Sequence, residues 1–267
     1  MISKRNTYSY SKINLFNSCP KKYKFYYLDK IQKKDEGIEA FLGKIIHQTL
    51  EWIYNLKIKS NKTYYSLDNI LDRYKDLWYD NWHNDIRALK YSILKKSDYY
   101  TMGMRLLIQY YNNFGPDFKQ PVIKVEKKIK FQLQDYFFVS VIDRIDKIDS
   151  DLLVIDYKTG KKELSEKSLK NDLQMGIYYL AIKKNFTDLE KILLSHYYLR
   201  TGNQISVLLA DSYEVEIEDN IIRNIDSINL ATDKNNFQSI ESNLCNWCYY
   251  WKECDKKTGS NPSRYIK

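Results

Sequence analysis

Residues 139–162 constrain this chain most. They read Val-Ser-Val-Ile-Asp-Arg-Ile-Asp-Lys-Ile-Asp-Ser-Asp-Leu-Leu-Val-Ile-Asp-Tyr-Lys-Thr-Gly-Lys-Lys. Two apolar, strand-like runs flank a polar turn at Asp149–Asp151, the pattern of a β-hairpin. Asp143 lies in the first run, and Asp156 and Lys158 in the second. Strand side chains alternate with period two, so Asp156 and Lys158 share a face. An antiparallel hairpin brings Asp143 beside them. Two carboxylates and an ammonium on one sheet face cost free energy unless their charge is balanced. A divalent metal and a phosphate would balance it.

Composition agrees with a polyanion partner. The chain has 267 residues and a formal net charge of +9, which favours nucleic acid or an anionic membrane surface. Its lysine, tyrosine, asparagine and isoleucine content is also what biased codon usage produces, so charge alone favours nucleic acid without naming it. No run reaches the roughly 18 apolar residues of a membrane span, and Met1–Tyr8 lacks an apolar signal core. The expected setting is the reducing cytoplasm, where four cysteines suggest metal or cluster ligation, or burial, rather than disulfides.

Along the chain, Ser9 or Ser11 caps a short helix that turns Ile13, Leu15 and Phe16 inward and stops before Pro20. A second helix runs over 21–28. Residues 38–59 carry a helical apolar stripe of Phe41, Ile45, Leu50, Ile53 and Tyr54, with Gly43, His47 and Glu51 four apart on one face. Taken alone, His47 and Glu51 read first as an ordinary surface or core histidine with an acidic neighbour. Residues 60–115 are expected to be a helical insertion rich in Trp and Tyr. It either extends the core or offers an aromatic, basic surface to single-stranded nucleic acid. Strands are predicted at 122–131, 137–148 and 152–157. Glu126, on the first, is either a further inward carboxylate or a paired strand residue. A helix follows over 163–187, then strands at 191–200 and 205–217, a helix over 218–240, and a loose basic tail.

Hydrolysis of a phosphodiester needs an activated water and stabilisation of charge at phosphorus. A carboxylate-held Mg²⁺ or Mn²⁺ supplies a Lewis acid and lowers the pKa of water; a lysine orients or deprotonates that water and offsets phosphate charge. The spacing Asp156-x-Lys158 is weak by itself. It gains specificity from Asp143 upstream, Gly160 downstream and Gln174-x3-Tyr178 on the next helix. Together these resemble the PD-(D/E)XK nuclease superfamily, in its RecB-like branch. Gly43-x3-His47 and the opening Ser-Tyr-Ser-Lys-Ile-Asn-Leu-Phe-Asn-Ser-Cys-Pro-x2-Tyr match that branch too, whereas Ser140 stands where the family often has glycine.

The resemblance implies a single α/β domain over 1–267, a restriction-endonuclease-like core with a central mixed sheet flanked by helices. It implies metal ligation by His47, Asp143, Asp156 and the Tyr157 carbonyl, catalysis by Lys158, and DNA contacts from Gln174 and Tyr178. Glu126 matches a less regular acidic position in the catalytic set.

Cys245-x2-Cys248-x5-Cys254, with the distant Cys19, forms a second set. Four thiolates suit zinc or an iron–sulfur cluster, and spacing does not separate them. One cysteine before the core and three after it resembles the iron–sulfur staple of AddB-type and CRISPR-associated RecB-like nucleases, which implies a structural [4Fe–4S] cluster pinning the chain ends. The implied activity is a Mg²⁺- or Mn²⁺-dependent deoxyribonuclease acting on single strands or DNA ends in repair, recombination or phage and CRISPR DNA processing. A helicase or integrase would be its partner. The alternative is a non-catalytic DNA-binding component of a helicase–nuclease or CRISPR adaptation complex.

Overall fold

The computed structural model describes residues 7–60 and 64–266. The expectation of no apolar leader core in residues 1–6, part of the insertion (61–63) and the terminal Lys267 lie outside them.

The central sheet has six strands. Strands β4 (Val122–Leu133), β5 (Tyr136–Ile148) and β6 (Asp151–Lys158) run antiparallel in succession. The two turns use Gln134 (φ 49°) and Asp149 (φ 53°) in the left-handed region, where short polar residues reverse a chain at low cost. Strand β7 (Ile192–Tyr198) lies parallel to β6, and β8 (Asn203–Leu208) closes that edge antiparallel. The short β1 (Thr7–Tyr8) runs parallel to β5 at Phe137 and Phe138. Pairing of β5 with β6 begins only at Arg144. The β5 edge between β1 and β6 is therefore open.

Helices cover both faces. One face packs α1 (Tyr10–Ser18), α7 (Leu173–Lys183) and α8 (Tyr213–Asp233) over Phe138, Ile142, Ile145 and Val154. The other packs α3 (Ile38–Ser60), α4 (Leu67–Asn81) and α5 (Lys96–Phe114) over Ile155, Tyr157 and Tyr197. Ser9 caps α1 by accepting from Lys12 N at 3.2 Å. That helix ends at Ser18, before Pro20 opens α2 (Pro20–Tyr23), and the chain winds on as a π-helical turn over Lys24–Leu28. The α3 stripe is buried as its spacing demands. Within the insertion, Tyr74, Trp78, Tyr99 and Tyr110 are buried. They extend the core, while Tyr79 and Tyr91 face solvent. Gly103 lets α5 close on α4, since a Cβ there would meet Tyr74 Oη at 2.0 Å.

The structure corrects four local expectations. The helix predicted over 163–187 is two, α6 (Glu166–Lys170) and α7, broken where Asp172 caps the second through Met175 N at 3.0 Å. The strand predicted to 217 stops at Leu208. Tyr-Glu-Val-Glu-Ile alternates like a strand, yet Ile221, Ile225 and Ile228 have helical spacing and are buried, and Ile217 packs against Gly176 of α7. The longer helical period wins because a whole face of α8 is buried by it. The insertion also contains a strand, β3 (Ile86–Leu89), flanked by β2 (Glu36–Gly37) and β9 (Ser263–Tyr265). The C-terminal segment is accordingly tied into a second sheet through Tyr265 rather than loose.

Candidate active site

The site forms where β4 and β5 exchange faces. On β5, Phe138 and Ile142 point to the α1–α7–α8 core, but so does Ile145, three residues on. On β4, Ile129 and Phe131 enter that core, whereas Val125 packs against the other. Strict alternation fails between these positions. Glu126 has φ 44°, and the ladder pairs Val125 with Arg144 and Lys127 with Ile142 but skips Glu126 and Asp143. A non-glycine residue in this region costs of order 1–3 kcal/mol and persists where the surroundings hold it, commonly at functional sites. The result places two carboxylates opposite each other at a break in the sheet.

Helix α3 completes the group. The nearest ligand atoms of His47, Glu126 and Asp143 all lie within 4.8 Å of one another, the set among the described residues that could hold a metal ion. His47 Nδ1 stands 3.3 Å from Asp143 Oδ2, and its Nε2 is 3.0 Å from the Tyr157 carbonyl oxygen. Asp143 Oδ2 also accepts from Tyr157 N at 2.9 Å. The expected ligands His47, Asp143 and the Tyr157 carbonyl are thus gathered, with Glu126 rather than Asp156 as the third side chain of the tight set.

Asp156 belongs to an adjoining chain of hydrogen bonds. It is almost fully buried, 3% exposed. Its Oδ1 accepts from Gln174 Nε2 at 2.8 Å and from Tyr178 Oη at 3.4 Å; its Oδ2 ion-pairs with Lys158 Nζ at 2.6 Å. Lys158 Nζ donates to Gln174 Oε1 at 3.0 Å, and Tyr178 Oη donates to the Val141 carbonyl at 2.8 Å. Gln174 therefore clamps the acid and the lysine together, while Tyr178 ties α7 to β5.

The electrostatics show uncompensated negative charge. Burial, then the Asp143 charge, push Glu126 up to about 7 from 4.5. Burial, then Asp143, raise Asp156 to about 6 against the pull of Lys158. Burial opposes protonation of His47, but its hydrogen bond to Asp143 and the charges of Asp143, Asp156 and Glu126 outweigh it and lift the pKa to about 9. Burial likewise opposes the Lys158 ammonium, yet Asp156 holds it above its ordinary value. The shared direction of these shifts comes from crowded carboxylates, and a divalent ion bound among them would oppose it.

Two features have no counterpart in the sequence motifs. Arg144 is buried behind the site. It holds Asp146 through two contacts of 2.7 and 2.5 Å, and its Nη1 donates to the hydroxyls of Tyr54, Tyr110 and Tyr157 at 3.1, 2.8 and 3.1 Å. An arginine inside an apolar strand run is the available signal. His196, paired in register with Asp156, is also buried. Burial, then the Lys158 charge, push it down to about 3. No sequence pattern links it to the site.

The four cysteines come together as well. Cys19, at the end of α1, and Cys245, Cys248 and Cys254 line one cavity of about 320 Å³. Burial raises the Cys248 thiol, and Cys19 and Cys245 add to the effect.

A mixed sheet with helices on both faces, bearing an acid-x-lysine strand end beside a histidine helix, defines a restriction-endonuclease-like fold. A family model of the PD-(D/E)XK nuclease superfamily matches residues 7–255, and the chain belongs to that superfamily. It is 25% identical over 258 residues to one of the subunits of the ATP-dependent helicase/deoxyribonuclease of Clostridioides difficile (strain 630). It is 26% identical over 257 residues to the corresponding protein of Clostridium perfringens (strain SM101 / Type A). Each match covers 84% of this chain but spans only 22% of the relative. A crystal structure from Eubacterium rectale, of a protein provisionally described as an exonuclease, shares 13% identity at a TM-score of 0.54. The match covers 97% of this chain and 92% of that one, and it shows the common fold. Among the described residues no helix is long and apolar enough to cross a membrane.

Proposed function

We propose that this chain, read as one domain over 1–267, is a metal-dependent deoxyribonuclease that degrades single strands or DNA ends. The observation that carries this is the convergence of His47, Glu126 and Asp143 within 4.8 Å beside the Lys158–Asp156–Gln174 chain. His47, Asp143, Glu126 and the Tyr157 carbonyl would hold Mg²⁺ or Mn²⁺. Asp156, raised in pKa by burial and by Asp143, would join them. The donors are hard oxygens with one imidazole, which suits these ions. The ion supplies a Lewis acid to the scissile phosphate and lowers the pKa of a water. Lys158, paired with Asp156, keeps its proton at neutral pH; it orients water and offsets phosphate charge rather than acting as a free base. Gln174 fixes both groups, and Tyr178 fixes the helix that carries Gln174.

The four cysteines lining one cavity are read as the seat of a structural [4Fe–4S] cluster, as the family resemblance implies, with zinc as the alternative four-thiolate group. The relatives named for a helicase/deoxyribonuclease favour a helicase partner; a role in DNA repair or recombination is part of the same proposal. The deciding experiment is digestion of end-labelled single- and double-stranded DNA with Mg²⁺, Mn²⁺ or EDTA. Metal-dependent release of labelled products is expected; no product with either metal overturns the proposal.

A further inference from the structure

A groove of about 570 Å³ leads away from Gln174 and Tyr178 along the open edge of β5. Its floor is Val139–Val141, in the stretch of β5 left unpaired between β1 and β6. Its far wall is the chain entering α1 together with Tyr27 and Lys30. Among the described residues no aspartate or glutamate lines it. Lys12 Nζ is anchored to the Thr7 carbonyl at 2.8 Å and lies over the rings of Tyr8 and Tyr27, at 4.3 and 5.6 Å from their centroids. Burial, then a second cation, Lys30, lower the Lys12 pKa to about 8. Two ammonium groups on one groove, with no carboxylate among its described lining residues, favour an anionic ligand. Near the catalytic end stands Tyr10, whose phenol is pushed up in pKa by burial, then by the charge of Asp172.

We propose that this groove holds the single-stranded DNA segment adjoining the scissile phosphate, with Lys12 and Lys30 on its phosphates and Tyr10 and Tyr27 against its bases. The identity of the polyanion rests on the nuclease reading. The preference for a single strand comes from the groove itself. Tyrosine rings beside ammonium groups line it, and these suit unpaired bases, whereas a duplex hides base faces in its stack.

The test is binding in EDTA, which silences hydrolysis, so the outcome does not depend on catalysis. A fluorescein-labelled single-stranded oligonucleotide is titrated with the full chain and followed by anisotropy. The Lys12→Glu/Lys30→Glu protein should bind about tenfold more weakly or worse. Its plot of log affinity against log salt should flatten by about 1.4, roughly 0.7 for each of two lost phosphate contacts. Lys12→Arg/Lys30→Arg should retain both affinity and slope. Lys12 also holds the Thr7 carbonyl, so Lys30→Glu alone, at an exposed side chain, decides the matter if the double variant does not fold; about half the flattening is then expected. Unchanged affinity and slope in a folded Lys30→Glu protein overturns the proposal. So does a duplex of equal length that competes as well as the single strand. Hydrolysis of bis(p-nitrophenyl) phosphate by the unmodified protein with Mn²⁺ judges the nuclease reading separately.

Discussion

Gln174 donates to Asp156 at 2.8 Å through Nε2 and accepts from Lys158 at 3.0 Å through Oε1. One amide thus holds both the acid and the lysine of the strand-end motif, beside their own 2.6 Å ion pair, and it does so from α7, beyond the intervening α6. Gln174→Leu removes both contacts at similar volume. Partners that orient a site's main groups commonly contribute about 10–100-fold. The variant should lose that much in kcat, with a small change in melting temperature. Retention of full kcat by a folded Gln174→Leu protein would contradict the clamp.

Lys158→Ala should abolish cleavage while leaving DNA binding largely intact. Its ammonium acts on charge that develops during the reaction, and removing one such donor costs about 10²–10³ in kcat. Single-turnover cleavage read beside filter binding separates the two effects. Wild-type cutting by this variant would remove Lys158 from the mechanism.

Metal-free protein should lose stability as pH rises from about 6.5 to about 9. His47 has its pKa raised from 6.5 to about 9, so the stability linked to its bound proton is present below 6.5 and lost through 9. Below 6.5 two effects oppose. The raised pKa values of Glu126 and Asp156 make stability fall with rising pH, while the depressed His196 makes it rise. Mg²⁺ or Mn²⁺ replaces the proton charge, so the shift in melting temperature on adding metal should grow with pH across this window. Differential scanning fluorimetry with and without EDTA checks it; a shift that shrinks with pH would count against metal at this group.

Arg144→Met should destabilise the fold by about 3–5 kcal/mol, because it leaves Asp146 buried without its partner. Both side chains are nearly inaccessible, 4% and 2% exposed. The urea midpoint measures this. Restoring stability with Arg144→Met/Asp146→Leu would confirm that the penalty is the orphaned charge.

Anaerobically purified protein should show a visible absorption band and contain iron. Cys248→Ser should bleach that band and lower the melting temperature. A colourless protein with stoichiometric zinc would refute the cluster.

Much of this is legible in the residues. The hairpin pattern places β4 to β6 to within about two residues, because a long period-two run bounded by turn residues has few alternative folds. The α3 stripe, the stop before Pro20 and the cap at Ser9 are equally local. Short elements are not legible: β2, β3 and β9 exist only because segments at 36, 86 and 263 meet, and no one of them carries a strand pattern strong enough alone. The start of α8 is masked by a five-residue alternation, and the buried face that overrides it is visible only against α7.

By itself the sequence determined which chemistry the chain can hold: a hairpin with two acids and a lysine, a histidine helix, a Gln–Tyr helix and four cysteines at two ends. Only the tertiary structure decided how they divide. It put Glu126 with His47 and Asp143, and bound Asp156 to Lys158 and Gln174. The cause is the change of face at Glu126 and Asp143. Period two predicts one shared face, but alternation breaks at Glu126 and Asp143, so His47 of α3 reaches Asp143 while Gln174 and Tyr178 of α7 reach Asp156.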